Sequence, residues 1–226
     1  MIMKTREENF FAIRQCVLTD YPYPIDWEDR EVQGIFNATY DDIIEQHSHI
    51  CNRYYNDGNT GLINLNFLDH YVILAYRFAN ALWKNNLPIY AEAVYFSLRI
   101  RGSLDLFYTT DIDKFFMPTH SLGAVIDSHV KYGKLFKVYN GCHLGPYNIV
   151  GVDPKEWKHP KVGDYVTMLG GSKLFGETTV GNNVIISVNT VVVNEEIPDN
   201  CIVSGISPNL VFQRLNVSNS SLLTNV

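Results

Sequence analysis

Between Val162 and Val193, apolar residues recur every six positions, at Val162, Met168, Leu174, Val180, Ile186 and Val192. A helix repeats near 3.6 residues and a strand near 2, so neither produces this spacing. Four residues after most of these comes a second series of small or β-branched residues: Val166, Ser172, Thr178, Val184 and Thr190. The two series predict the rungs of a parallel β-helix, each placing one large and one smaller side chain inside a narrow triangular prism. The same phase holds upstream at Ile126, Tyr132, Val138 and Leu144, with Val130, Phe136 and Cys142 as their four-on partners. Leu144 and Val162 are eighteen residues apart, so the interruption from Gly145 to His159 keeps register. Gly163, Gly170, Gly176 and Gly181 fall where the prism turns its corners.

The first hundred residues read as helices. Thr5 and Glu8 make a capping box ahead of Phe10, Phe11, Ile13 and Val17. Tyr21-Pro22-Tyr23-Pro24 enforces an extended link. Beyond it Ile35, Phe36, Tyr40, Ile43, Ile44, His47 and Cys51 recur at helical spacing, which places His47 in the core. Asn66 is the expected cap of a third helix, whose stripe is Leu68, Tyr71, Val72, Ala75, Phe78, Ala79 and Leu82; His70 falls off that stripe and is expected in solvent. Pro88 suits the first turn of a fourth helix, ending near Arg101 with Gly102 just past it.

Length and composition change this picture little. A chain of 226 residues, 46% hydrophobic, can hold one large or two small domains. The net charge of −6, with no long basic run, argues against a nucleic-acid partner. No apolar run reaches membrane-spanning length, and the charged start MIMKTREENFF is unlike a signal peptide. A cytoplasmic protein without a membrane span is expected. Cys16, Cys51, Cys142 and Cys201 are widely separated, lack metal-type spacing and read as reduced thiols, with Cys142 in the wall of the prism.

Six-residue periodicity alone names no function. Three stretches carry more: Thr119-His120-Ser121-Leu122-Gly123-Ala124-Val125-Ile126, then Leu144-Gly145, then His159-Pro160-Lys161-Val162. In order and spacing, apart from the loop length, they resemble the serine acetyltransferase family, over about residues 104 to 210. The resemblance implies an α+β protein: a helical domain over 1–103, a left-handed parallel β-helix with a protruding loop over 104–213, and a flexible tail over 214–226. It also implies acetyl-CoA as co-substrate, no metal, and a homotrimer or dimer of trimers with active sites between neighbouring prisms.

A hydroxyl is a poor nucleophile near neutral pH, so its acetylation by a thioester needs a base, and histidine is the natural one. His120 is the leading candidate, standing in an aliphatic register position and in the family's base motif; His143 and His159 are alternatives. His159, His143, Thr119 and Lys158 are the candidate acceptor-binding residues. A carboxylate usually orients such an imidazole. Asp111 and Asp113 are available, Asp111-Ile112 resembling the family's Asp-Ile-His-Pro at an interval to His120 one six-residue rung shorter. Gly145, Gly170, Gly171, Ser172 and Lys173 match the family's coenzyme-facing rungs, although the glycines are equally suited to making corners alone. Cys142 and Ser121 make poor nucleophiles, so direct transfer is expected rather than an acetyl-enzyme.

Three departures from the family bear on the acceptor: Thr119 replaces an acidic residue, Ser128 a glutamate, and Lys158 an arginine. Losing two carboxylates removes partners for an amino group, and lysine lacks the bidentate reach of arginine. The expected acceptor is therefore a saccharide hydroxyl, as in O-acetylation of capsule or other surface polysaccharides. Serine O-acetylation in cysteine biosynthesis and a non-catalytic scaffold are the alternatives. A zinc hydratase fits poorly, because His120, His143 and His159 lack the ligand spacing of the β-helical carbonic anhydrases.

Overall fold

The computed structural model describes residues 5–21, 25–147, 151–217, 221 and 223. The chain forms two compact units, residues 1–109 with 222–226, and residues 110–221.

The first unit is built on α1 (Arg6–Asp20), α2 (Arg30–Ser48), α3 (Leu68–Lys84) and α4 (Pro88–Gly102). The capping box forms as expected: Thr5 Oγ1 accepts the Glu8 amide at 3.2 Å and the Glu8 carboxylate accepts the Thr5 amide at 2.7 Å. Residues 22–24 of the proline link lie outside the described residues. Asp29 caps α2 through the Glu31 amide, 2.8 Å away. α3 starts without a side-chain cap; Asn66 instead donates its amide to Asn64 Oδ1 at 3.0 Å. α4 includes Gly102, and Ser103 takes the left-handed turn at φ +51°. A Cβ on Gly102 would stand 2.7 Å from Leu104 Cδ2, 3.1 Å from Leu98 Cδ1 and 3.2 Å from Val72 Cγ2, so a larger residue would have to displace these side chains. Phe36 and Phe78 meet edge to face at 5.2 Å in a core that includes Ile13, Leu74, Tyr76 and Leu98.

His47 is buried as expected, whereas His70 is not in solvent: only 1% of it is exposed. Its Nδ1 accepts the Asn64 amide at 2.9 Å, and its ring sits 4.8 Å from Tyr55, 5.2 Å from His47 and 5.7 Å from Phe67. The segment before α3 folds over that face of the helix, which a periodicity count cannot register.

The second unit is a left-handed parallel β-helix of about six turns. One face stacks Met117–Pro118, Lys137–Val138, Thr167–Met168, Val184–Ile186 and Cys201–Ile206. A second stacks Val125–Ile126, His143–Gly145, Lys173–Phe175 and Val191–Val193. The third stacks Lys131–Tyr132, Lys161–Val162, Thr179–Val180 and Glu196–Ile197. Val162 pairs with Val180, Met168 with Ile186 and Leu174 with Val192, so a regular coil is three six-residue rungs. Across the interruption Tyr132 pairs with Val162 and Leu144 with Leu174, a step longer by two rungs, which is why the phase survives. Every predicted interior residue from Ile126 to Val192 is buried. Each aliphatic side chain so enclosed contributes about 1.5–3 kcal/mol relative to exposure.

At one corner Gly133, Gly163 and Gly181 stack one per coil: a Cβ on Gly163 would lie 2.6 Å from the Gly181 carbonyl oxygen. Beside them runs a ladder of side-chain bonds, with the amides of Lys134, Asp164 and Asn182 donating to Asp164, Asn182 and Asp199 Oδ1 at 2.9, 2.8 and 2.6 Å. Acidic and amide side chains thus satisfy corner amides that the strands leave unpaired.

Asn209–Arg214 pairs antiparallel with Cys201–Ile206, so only Arg214 of that strand falls in the expected tail, and Leu223 forms an isolated bridge with Ile50. Residues 218–220, 222 and 224–226 lie outside the described residues.

Candidate active site

His120 follows the strand Met117–Pro118 in a turn. Its backbone is left-handed, φ +48°, its carbonyl accepts the Leu122 amide at 2.8 Å, and its side chain is exposed. The six-residue register predicts His120 on the interior. Pro118 instead pairs with Val138, a coil of twenty residues, and the two extra residues carry His120 out of the wall. Thr119, half-buried, donates its amide to the Val138 carbonyl at 2.8 Å. Asp111 and Asp113 are exposed, and Asp113 accepts the Lys114 amide at 2.7 Å.

His129 and His159 are brought together around Asp127, with His143 on the adjoining rung. A Cβ on Gly145 would meet His143 Nε2 at 3.7 Å and Asp127 Oδ2 at 3.8 Å. His159 Nδ1 lies 3.4 Å from Asp127 Oδ1, and His129 Nδ1 lies 3.1 Å from the same oxygen. The Tyr132 hydroxyl donates to the Asp127 carbonyl at 2.9 Å and holds that backbone in place. His143 stacks edge-on against Phe175 at 4.8 Å and pairs in register with Lys173. Burial, then the Lys173 charge, push the His143 pKa below its ordinary value, with Asp127 opposing. Burial likewise lowers that of His159, again against Asp127. Both are therefore weaker bases than free imidazole.

Lys158 is exposed and, with Tyr147, Trp157, Gly176 and Asn194, lines a cavity of about 400 Å³ between the loop and the coil. The loop holds a short 3₁₀ turn, Pro154–Glu156, capped by Asp153; residues 148–150 lie outside the described residues.

The expected coenzyme contacts divide. Gly170 and Gly171 make a corner, where the Gly171 carbonyl accepts Lys173 Nζ at 2.8 Å. Gly145 is buried and its carbonyl accepts the Gly176 amide at 3.2 Å. Ser172 does not face outward. It is enclosed in the prism 3.5 Å from Cys142 Sγ, its amide donates to Leu169 and its carbonyl accepts the His143 amide, so it serves the wall. Burial raises the Cys142 thiol pKa, and Ser121 Oγ is buried without a hydrogen-bond partner; neither is an activated nucleophile.

Asp105, in the strand Asp105–Leu106, accepts the Tyr95 hydroxyl at 2.6 Å.

Four N-terminal helices followed by a left-handed parallel β-helix are the architecture of the hexapeptide-repeat acyltransferases. No family model matches the chain. A serine acetyltransferase of Staphylococcus epidermidis is 30% identical over 152 residues, which cover 63% of this chain and 68% of the relative. Among solved structures, the serine acetyltransferase of Vibrio cholerae superposes with a TM-score of 0.66 at 20% identity, over 85% of this chain and 74% of that one. A serine acetyltransferase in complex with CoA superposes with a TM-score of 0.54 at 22% identity, over 65% of this chain and 57% of that one. The chain belongs to the serine acetyltransferase family.

The relatives overturn the expected saccharide acceptor and favour the alternative, serine.

Proposed function

We propose that this chain is a serine O-acetyltransferase, transferring the acetyl group of acetyl-CoA directly to the hydroxyl of L-serine in the route to cysteine. The observation that carries the reading is its 152-residue match to serine acetyltransferases. Family membership makes it an acetyl-CoA-dependent acyltransferase. His120 acts as general base: its imidazole takes the proton of the serine hydroxyl as that oxygen attacks the thioester carbonyl. The C–S bond then breaks and the CoA sulfur leaves as thiolate to be protonated. The exposure of His120 outside the wall supports this role, and the buried Cys142 and Ser121 support transfer without an acetyl-enzyme. His143, His159, Thr119 and Lys158 hold the acceptor; Gly145, Gly170, Gly171 and Lys173 face the coenzyme. No helix among the described residues is long and apolar enough to cross a membrane, and a cytoplasmic location is part of the proposal.

Thiol release from acetyl-CoA tests the acceptor. L-serine is expected to support turnover well above the acceptor-free rate and above any saccharide. Release no faster with serine than without it would overturn the reading.

Assembly as a trimer, or a dimer of trimers, belongs to the same proposal. Val188, Ile206, Val211, Phe212 and Val217 are exposed apolar side chains on the β-helical unit, the kind that contact with a second copy would cover. Sedimentation at micromolar protein is expected to give a trimer or larger, and a stable monomer refutes it.

A further inference from the structure

We propose that Asp127, His129 and His159 bind one divalent first-row transition-metal ion, of which zinc is representative, where the protruding loop rejoins the β-helix. The three residues each offer a ligand atom within 4.8 Å of the other two, the one such group among the described residues. Zinc bonds of about 2.0–2.2 Å in a tetrahedron separate neighbouring ligand atoms by about 3.3–3.5 Å. The Asp127 Oδ1 distances of 3.1 Å to His129 Nδ1 and 3.4 Å to His159 Nδ1 therefore already approximate two edges of such a site.

Hydrogen bonding alone does not satisfy this cluster. Asp127 Oδ1 accepts the His129 backbone amide at 2.6 Å, which uses one acceptor position of an oxygen that two imidazole nitrogens also approach. His159 Nδ1 is buried and, despite its proximity to the carboxylate, makes no hydrogen bond. A cation placed among the three atoms takes one lone pair from each and gives the buried His159 Nδ1 a partner. Two nitrogens and one carboxylate oxygen match zinc and its neighbours rather than calcium or magnesium, which take all-oxygen shells. Three protein ligands leave a fourth position for water or a ligand group.

The arrangement is also supported from behind. The His129 amide fixes the carboxylate, the Tyr132 hydroxyl fixes the Asp127 backbone, and the two rings lie 4.9 Å apart with planes 32° from parallel. Asp127 and His129 come from one turn between strands, whereas His159 arrives with the returning loop. An ion there ties the loop's return point to the coil before it. His159 would bind the ion through Nδ1, which leaves its Nε2 for the acceptor contact proposed above, and the inference does not depend on which hydroxyl is acetylated.

The test is calorimetric titration of zinc into the chelator-stripped full chain, with His129→Ala and Asp127→Asn alongside. His129 has 72% of its side chain exposed, so its removal leaves the core intact, and helical ellipticity checks the fold of each variant. The expected result is one zinc per chain with a roughly micromolar or tighter Kd, weakened at least about 10-fold by either substitution. Cobalt added to the wild type should give the visible absorption of a tetrahedral site, lost in His129→Ala. Failure of the wild type to bind, or undiminished binding by folded His129→Ala, overturns the proposal and leaves a hydrogen-bonded Asp–His cluster.

Discussion

Replacing His120 with alanine is expected to slow serine-dependent thiol release from acetyl-CoA by about 10²–10⁴-fold, the usual contribution of a general base. That corresponds to about 3–5 kcal/mol of barrier. The side chain is exposed, so its loss removes no core contact. The left-handed backbone at φ +48° does make alanine a strained replacement. His120→Asn is the better companion, because asparagine accepts that conformation and cannot take the proton. Both variants should keep the affinity for CoA and the sedimentation of the wild type. His159→Ala, by contrast, should raise the KM for serine more than it lowers kcat, the pattern of a lost ground-state contact. His143→Ala serves as the second comparison, since burial weakens that ring as a base. Wild-type turnover by a correctly assembled His120→Asn would remove His120 from the mechanism.

The β-helix was legible because its interior is one-dimensional: each six-residue rung reports its own wall position, and Val162 through Val192 needed no tertiary information. Even the loop was legible, as two rungs' worth of chain that returns Val162 to the phase of Leu144. The site was less so, because side chains outside the wall are set by details finer than the period. Two extra residues before Val138 move His120 from the interior to a turn. Asp127 carries no motif, yet the folding of one corner against the loop return puts its carboxylate against His129 and His159. The carboxylates lost at positions 119 and 128 pointed away from serine, and the serine acetyltransferase relatives overturn that reading. His70 shows the same limit in the helical unit: it lies off the stripe of α3, but the segment carrying Asn64 covers it.

That burial gives the second large effect, acid instability of the helical unit. Burial holds the His47 pKa at about 4 and the His70 pKa at about 3, against 6.5 for a free imidazole; neighbouring His47 contributes to the depression at His70. The His47 Nδ1 lies 2.7 Å from the Leu62 carbonyl and so donates to it, and the His70 Nδ1 accepts the Asn64 amide. His70 Nε2 is then the protonated nitrogen, buried without a hydrogen-bond partner. A second proton on either ring places a charge among Tyr55, Phe67 and the other histidine. Between pH 6.5 and these lowered values the unfolded chain binds more protons than the folded one, so stability rises with pH and is lost as pH falls through that window. Each ring contributes a slope of up to about 1.4 kcal/mol per pH unit, and the two together remove on the order of 5 kcal/mol between about pH 7 and about pH 4.5. That is comparable with the whole stability of many domains. Urea unfolding followed by helical ellipticity should show the midpoint dropping steeply over this range. His47→Asn and His70→Asn, which offer an amide donor and acceptor in place of the ring nitrogens, should each flatten the dependence while lowering stability at neutral pH. An unchanged midpoint between the two pH values would mean that the rings are not buried neutral in solution.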